Sequence, residues 1–463
     1  MTRVISRRKV KVAIVALLVV FLVSVMAGCS KAEPQYDLVK NEGDYKDTVF
    51  ENMQYLADNY PDRTMGTEGE LNTAKYLASR LSSFGYTSEY SCDEGEGLQR
   101  FRVSNTRYDG STVSDINVYN VIFTKKAWNS SKGVILLSAQ YDNLYQEKRG
   151  DETWKADGSY ESGSGTATLL ALAEIMSTID CSYDVTFAFF TGGCYGWEGA
   201  SQYVDSLKNS DFENIKLNIN FSMLGGGDIL YLYTGETVSD FGEYLRSASN
   251  GLMSNPKDKN VAPWSMEADS KYPYTHIGMM GNQYFLMNRN VPTANFTAHN
   301  WSCNDNPFLT EMQGKGNVYH TSDDTLSNMI ERKGEDDIKA MLNDVVNTVL
   351  TALSESNAVE RDGALATARE QIASKGQGAQ QSSMATVAIK LITVAIFFGI
   401  ALTVRNYVRK NRRLYVKEKP VEEEQIKPFD FDTYPKNEEK RDGDDSENFD
   451  GDDNSKPPYD PFV

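Results

Sequence analysis

Apolar positions near the start of the chain recur at helical spacing. Val49, Met53, Leu56 and Ala57 share one face until Tyr60-Pro61-Asp62 breaks the run. Ala74, Leu77, Leu81 and Phe84 mark a second helix over 70–84. The pattern then changes to short, largely apolar stretches separated by amphipathic ones. Stretches 134–139 and 185–190 read as buried strands, 215–223 and 229–233 as further strands, and 292–297 as extended. Between them, Leu169, Leu172, Ile175, Met176 and Ile179 line a helix over 163–179. Helices are also predicted over 196–207 and 240–249, and over 338–353, where Ile338, Met341, Leu342, Val345 and Val349 recur. Alternating β and α elements imply a sheet covered on both faces. The predicted fold class is therefore α/β, a mixed, mostly parallel sheet with helices on both faces. In such sheets, sites form beyond the C-terminal ends of the strands.

Two longer apolar runs lie outside this alternation. The first, Val12 to Met26, follows Arg3, Arg7, Arg8, Lys9 and Lys11 and precedes Ala27-Gly28-Cys29. Basic, apolar and small-residue regions in that order form an export signal over 1–29. Small residues before a cysteine resemble a bacterial lipobox, which makes Cys29 the expected lipidation site. The second run, Ala385 to Val404, is long enough to span a bilayer at 1.5 Å per residue. The basic cluster Arg405, Arg409, Lys410, Arg412, Arg413, Lys417 and Lys419 follows it and places the C-terminal side in the cytoplasm. The expected organisation is a polar leader over 30–46, an exported domain over 47–355, a linker over 356–384, one transmembrane helix over 385–404 and a disordered tail over 405–463. That tail turns acidic and rich in Pro, Asp and Asn after Val421, with aromatic–Pro–acid pieces that suit a cytoplasmic partner.

A net charge of −18 with no long basic stripe argues against nucleic acid as a partner. The membrane is the partner that the two apolar runs imply. Besides Cys29, the exported part carries Cys92, Cys181, Cys194 and Cys303, for which three pairings are open.

Five stretches carry chemistry: GVILLSAQYDN (133–143), GSYESGSGTATLLALAEIM (158–176), DVTFAFFTGGCYGWEGASQYV (184–204), LNINFSMLGGGD (217–228) and VYHTSDDTLSNM (318–329). They resemble the di-zinc aminopeptidases, the metallopeptidase family that includes bacterial leucyl aminopeptidase, glutamate carboxypeptidase and the glutaminyl cyclases. There the same stretches read SAHYDS, GADDNASG, FFxGEExGLxGS, xNxDMxG and YHTPxDT. The helix, Arg-Thr-x-Gly-Thr loop and helix over 47–86 are similar too. The resemblance implies a zinc-aminopeptidase-like fold over about 47–353, with one metal on a bridging Asp, a Glu and a late His. It implies a second metal on an early His, the same Asp and a further Asp.

Carried over motif by motif, the early His position is Gln140 and the bridging Asp position is Tyr160, followed by Glu161. The paired glutamates, base then ligand, become Gly193 and Cys194, and the second-metal Asp becomes Ser222. Only the late His survives, as His320. Asp142, which the resemblance assigns to orienting the early His, now sits beside an amide. Where relatives carry Ser-Asp-His, this chain has Asn282 and Gln283. An amide, a hydroxyl and a phenol are poor zinc ligands, and Gly193 cannot take a proton from water. The expectation is a vestigial pocket of Gln140, Asp142, Tyr160, Glu161, Gly193, Cys194, Ser222 and His320, with zinc and hydrolysis lost. Such a domain acts as a binding or regulatory module for a peptide or protein ligand; the alternative is an active hydrolase with an altered metal or thiol-based site. His276 and His299 read as loop residues, Gly225-Gly226-Gly227 as a turn between strands, and Asp323 and Asp324 as first-turn acids favoured by the helix dipole.

Overall fold

The computed structural model describes residues 36–106, 112–149, 152–234, 240–249, 281–299 and 318–372. Its core is a seven-stranded mixed sheet built from β1 (Leu98–Thr106), β2 (Thr112–Lys125), β3 (Val134–Gln140), β4 (Asp184–Phe190), β5 (Ile215–Phe221), β6 (Ile229–Tyr233) and β7 (Thr293–His299). The strand order is β6-β7-β5-β3-β4-β2-β1. The central four strands, β7, β5, β3 and β4, are parallel. β6 on one side and β2 and β1 on the other run antiparallel to their neighbours.

Both faces are covered, as the continuous apolar strands require. On one face lie α1 (Lys46–Asn59), α2 (Glu68–Ser83), α3 (Ser164–Met176) and α9 (Glu335–Leu353), packed on Leu137, Phe187 and Ile219. On the other, α4 (Glu198–Ser206) and α7 (Asn282–Met287) pack through Ala200, Tyr203, Val204 and Leu286 on Leu136, Ala188 and Phe190. Shorter helices α5 (Asn209–Asn214), α6 (Asp240–Ala248) and α8 (Leu326–Lys333) complete the domain. Helix α3 is buried at every residue from Ser164 to Ala173 because it lies between the sheet and α1. It starts hard against the end of β5, where a Cβ on Gly165 would sit 2.6 Å from the Phe221 carbonyl oxygen.

The described domain extends past the expected 47–355 on both sides. Leader residues 36–45 are ordered against α9. The backbone N–H groups of Asn41, Gly43 and Tyr45 donate to Thr351 Oγ1 (2.9 Å), Asn347 Oδ1 (2.9 Å) and Asn343 Oδ1 (2.8 Å). Those acceptors recur every four residues, one per turn on a single helix face. The leader is held by its backbone on this row and by its side chains elsewhere, with Leu38 buried in the core and the Tyr36 ring edge-on to Tyr244 at 5.5 Å. The expected linker likewise begins as a packed helix over 358–372, with Ala364, Leu365 and Ala368 buried. Arg361, 1% exposed, ties it down through the Leu353 carbonyl (2.9 Å) and Glu355 (2.9 Å). Among the described residues no helix is long and apolar enough to cross a membrane. The runs 12–26 and 385–404, Cys29, Cys303, His276 and the tail lie outside the described residues.

Candidate functional site

The loops after β3, β4 and β5 leave the sheet side by side, since Gln140 is in register with Phe190, and Ala139 with Phe221. The loop after β3 carries Asp142, whose carboxylate accepts from the backbone N–H of Gly193 (2.8 Å) and of Cys194 (3.4 Å). This fixes the loop after β4, which turns through Gly192 at φ 70° into a tight turn over Gly193–Tyr195. Asp142 thus positions a backbone rather than an imidazole. Burial lifts its carboxyl to about 7, against the opposing pull of the Gly193 hydrogen bond.

The third component is a wide helical turn, Ser159–Gly163, that feeds into α3. Its Gly163 N–H reaches back five residues to the Gly158 carbonyl (2.8 Å). Such turns insert one residue relative to an α-helix and recur at functional sites. In it, Tyr160 and Glu161 part company. The Tyr160 hydroxyl donates to the Ala298 carbonyl on β7 (2.6 Å), and its ring lies where a Cβ on Gly226 would approach to 2.4 Å. Glu161 instead meets the two side chains that matter. Its Oε1 accepts from the Cys194 thiol (2.8 Å) and pairs with His320 Nε2 (2.7 Å). The donor atoms of Glu161, Cys194 and His320 all lie within 4.8 Å of one another.

Surrounding groups hold these three in place. Asp324 accepts from the backbone N–H groups of Tyr160 (2.7 Å) and Glu161 (3.1 Å). It is buried, and the helix begins only at Leu326 behind the Thr325 cap. The expectation of a first-turn acid favoured by the helix dipole is therefore wrong for Asp324: its carboxylate caps the wide turn instead. Arg63, fully buried, donates to the carbonyls of Tyr141 (2.7 Å), Tyr60 (2.8 Å) and Gly158 (3.2 Å) and to Ser162 Oγ (3.0 Å). Gln140 donates through Nε2 to the Asp142 carbonyl (3.2 Å) and to Cys194 Sγ (3.2 Å).

The electrostatics separate the members. Burial pushes the Glu161 carboxyl up, but the His320 imidazole and the Cys194 thiol outweigh it and hold it below the usual carboxylate range. Burial, then the Asp142 and Glu161 carboxylates, push the Cys194 thiol well up. Asp324 is likewise driven well up by burial and by Glu161.

Of the positions expected in the vestigial pocket, Gln140, Asp142, Glu161, Gly193, Cys194 and His320 come together. Tyr160 points to β7, and Ser222 follows β5 with its N–H on the Phe296 carbonyl (3.0 Å). Asn282 and Gln283 are buried in the first turn of α7. His299 is a correction: it is buried as the last residue of β7, paired with Ile229, rather than in a loop. Among the described residues Cys92, Cys181 and Cys194 are free thiols.

The model of peptidase family M28 matches residues 120–346, the stretch that supplies Gln140, Glu161, Cys194 and His320. The chain belongs to peptidase family M28. Leucine aminopeptidase 2 of Trichophyton equinum is 25% identical over 206 residues, covering 41% of this chain and 37% of that protein. The alkaline phosphatase isozyme conversion protein of Escherichia coli is 23% identical over 211 residues, 42% of this chain and 54% of that protein. The match thus spans about a third to a half of these relatives' length. A zinc aminopeptidase from Bacillus subtilis shares the fold, with a TM-score of 0.51 at 14% identity over 70% of this chain and 98% of that one. The two-metal arrangement that the M28 resemblance implies does not fit here. Besides the shared bridging position, the second metal is offered only the Gln140 amide and the Ser222 hydroxyl, and the Tyr160 phenol is already donating to a carbonyl. The first-metal positions retain a carboxylate, a thiol and an imidazole, with the acid supplied by residue 161 instead of 160.

Proposed function

We propose that this chain is a non-hydrolytic M28 domain, held at a bacterial cell membrane, that works as a binding or regulatory module. The observation that carries this reading is at Gly193. Hydrolysis in a two-metal peptidase needs a carboxylate base beside the metal-bound water. Here the base position has no side chain, and a Cβ built on it would sit 2.0 Å from the Gln140 side chain. The space for a base is taken by an amide that cannot accept a proton from water at neutral pH.

A thiol-based hydrolase finds little support in the same geometry. Cys194 is 2% exposed, and burial with the Asp142 and Glu161 carboxylates pushes its thiol well up, whereas an activated thiol is held low. Membrane attachment is supported by the export signal ending at Cys29 and by the apolar run 385–404 with the basic cluster behind it. A peptide or protein ligand for the outward-facing domain and a cytoplasmic partner for the acidic tail follow from that arrangement.

The test is a hydrolysis assay on the full chain in mild detergent, with aminoacyl-p-nitroanilides and a panel of short peptides, with and without added zinc. No turnover is expected. Chelator-sensitive turnover that disappears in His320→Ala overturns the proposal.

A further inference from the structure

The first and last described residues, Tyr36 and Ile372, lie at the same end of the sheet, and it is the end opposite the candidate site. The parallel strands β3, β4 and β5 start at Val134, Asp184 and Ile215 and finish at the level of Gln140 and Phe190, where the Glu161 cluster is built. Beneath the starting ends runs the helix over 358–372. Asp362 pairs with Lys132 just before β3, Ser182 just before β4 donates to Glu355, and Arg369 donates to the Ile215 carbonyl that opens β5 (2.9 Å). The leader arrives there too, through the hydrogen bond from Val39 N–H to Asn357 Oδ1 (2.9 Å).

This end carries apolar side chains into water. Among the described residues six large hydrophobic side chains are exposed, and three of them are here: Val359 (83%), Val39 (63%) and Trp128 (59%). Trp128 stands on the loop between β2 and β3, whose backbone is tied to the carbonyls of Cys181 (3.1 Å) and Ser182 (3.0 Å). Scattered exposed hydrophobic residues need no explanation; an indole and two valines gathered where both ends leave the domain do.

We infer that, in a chain held at the membrane as proposed above, this end of the domain rests on the outer lipid surface through Trp128, Val39 and Val359. The lengths of chain on either side select lipid as the occupant. Seven residues separate Tyr36 from Cys29, the expected lipidation site, at most about 25 Å of extended chain. Thirteen separate Ile372 from Ala385, where the second apolar run begins, at most about 45 Å. Two short tethers leaving one end hold that end against the bilayer, and indole is a side chain that favours the membrane interface. The neighbouring lysines are already engaged, Lys126 with Asp184 and Lys132 with Asp362. The contact is therefore made by the indole and the valines rather than by charge. A strand of seven residues rises about 20 Å. The strand ends that carry the Glu161 cluster stand about that far above the lipid, facing ligands that arrive from water.

The full chain is reconstituted into vesicles of phosphatidylcholine and phosphatidylglycerol whose acyl chains are brominated near the headgroup. Tryptophan emission is compared with that in unbrominated vesicles, and flotation reports incorporation. The chain has five tryptophans, so the assignment comes from differences. Trp128→Phe should remove at least about half of the quenching, as an interfacial indole requires. Trp197→Phe, which removes the indole at the start of α4 on the site end, should leave the quenching unchanged. Circular dichroism of both variants should match the parent. A chain that floats and is quenched equally with and without Trp128 overturns this inference alone, as does quenching lost in Trp197→Phe instead. Trp128 emission that shifts with protein concentration rather than with bromination assigns the surface to a second copy, and also overturns it. A chain that does not float overturns the membrane-held reading and this inference with it.

Discussion

Glu70 sits fully buried at the third position of α2. Its carboxyl accepts from the N–H groups of Gly66 (2.6 Å) and Tyr119 (3.0 Å) and from the Tyr141 hydroxyl (3.1 Å). Burial outweighs these bonds and lifts the carboxyl from 4.5 to about 7. The folded protein therefore holds this proton where the unfolded chain has released it. Stability from this group is complete below about pH 4.5 and is lost as pH rises through about 7, the reverse of a salt-bridged acid. At 1.36 kcal/mol per pKa unit the full loss is about 3 kcal/mol, an upper bound because buried sites relax. Glu70→Gln mimics the protonated acid in charge. Its amide can accept from only one of the two backbone donors, so the variant loses about 1–3 kcal/mol at every pH. The expected result in urea unfolding between pH 4.5 and 8 is a wild-type stability that falls with pH more steeply than the variant's. Parallel slopes, or a wild type that gains on the variant as pH rises, would refute the reasoning.

Arg63→Ala removes four hydrogen bonds from a fully buried cation. A loss of roughly 3–5 kcal/mol in urea unfolding is expected, with Lys a poor substitute because it lacks the planar fork; a loss below about 1 kcal/mol contradicts this. On alkylation of metal-free protein at neutral pH, Cys194, enclosed and flanked by carboxylates, should react at least ~10-fold more slowly than the half-buried Cys92. Mass spectrometry reads the order, and preferential labelling of Cys194 would sink the account. For the proposed topology, protease applied to intact cells should spare an epitope placed after Val463; its loss reverses the orientation.

Much of this arrangement is legible in the residues themselves. The apolar stretches at 134–139, 185–190 and 215–223 place the parallel centre of the sheet, and the five motif stretches fall at the strand ends where sites form. β1 and β2 are not among the strands expected from the sequence: β1 alternates Arg100 and Arg102 with Phe101 and Val103, the pattern of a half-buried outer strand rather than a continuous apolar run. The position of Glu161 is hidden for a different reason. A wide turn shifts which residue faces the site, and no local propensity distinguishes it from an ordinary helix start. Asp324 was misread because an acid just before a helix normally faces solvent; only the fold brings the 158–161 backbone to it. The helix over 358–372 was masked by its alternating small and charged residues, which read as tether.

The row of side chains on α9 that grips the leader has a mechanical consequence. Val39 and Asn357 exchange two hydrogen bonds, N–H to Oδ1 at 2.9 Å and Nδ2 to carbonyl at 3.0 Å, so residues 318 positions apart are clasped directly. With Thr351, Asn347 and Asn343 the clasp becomes a ladder that lies along the helix. Because the leader runs antiparallel to α9, tension drawn between the two ends of the domain meets the Val39–Asn357 clasp first and opens the rungs one after another. The parallel strands that carry the Glu161 cluster lie behind this ladder, which gives way rung by rung at residues 39–45.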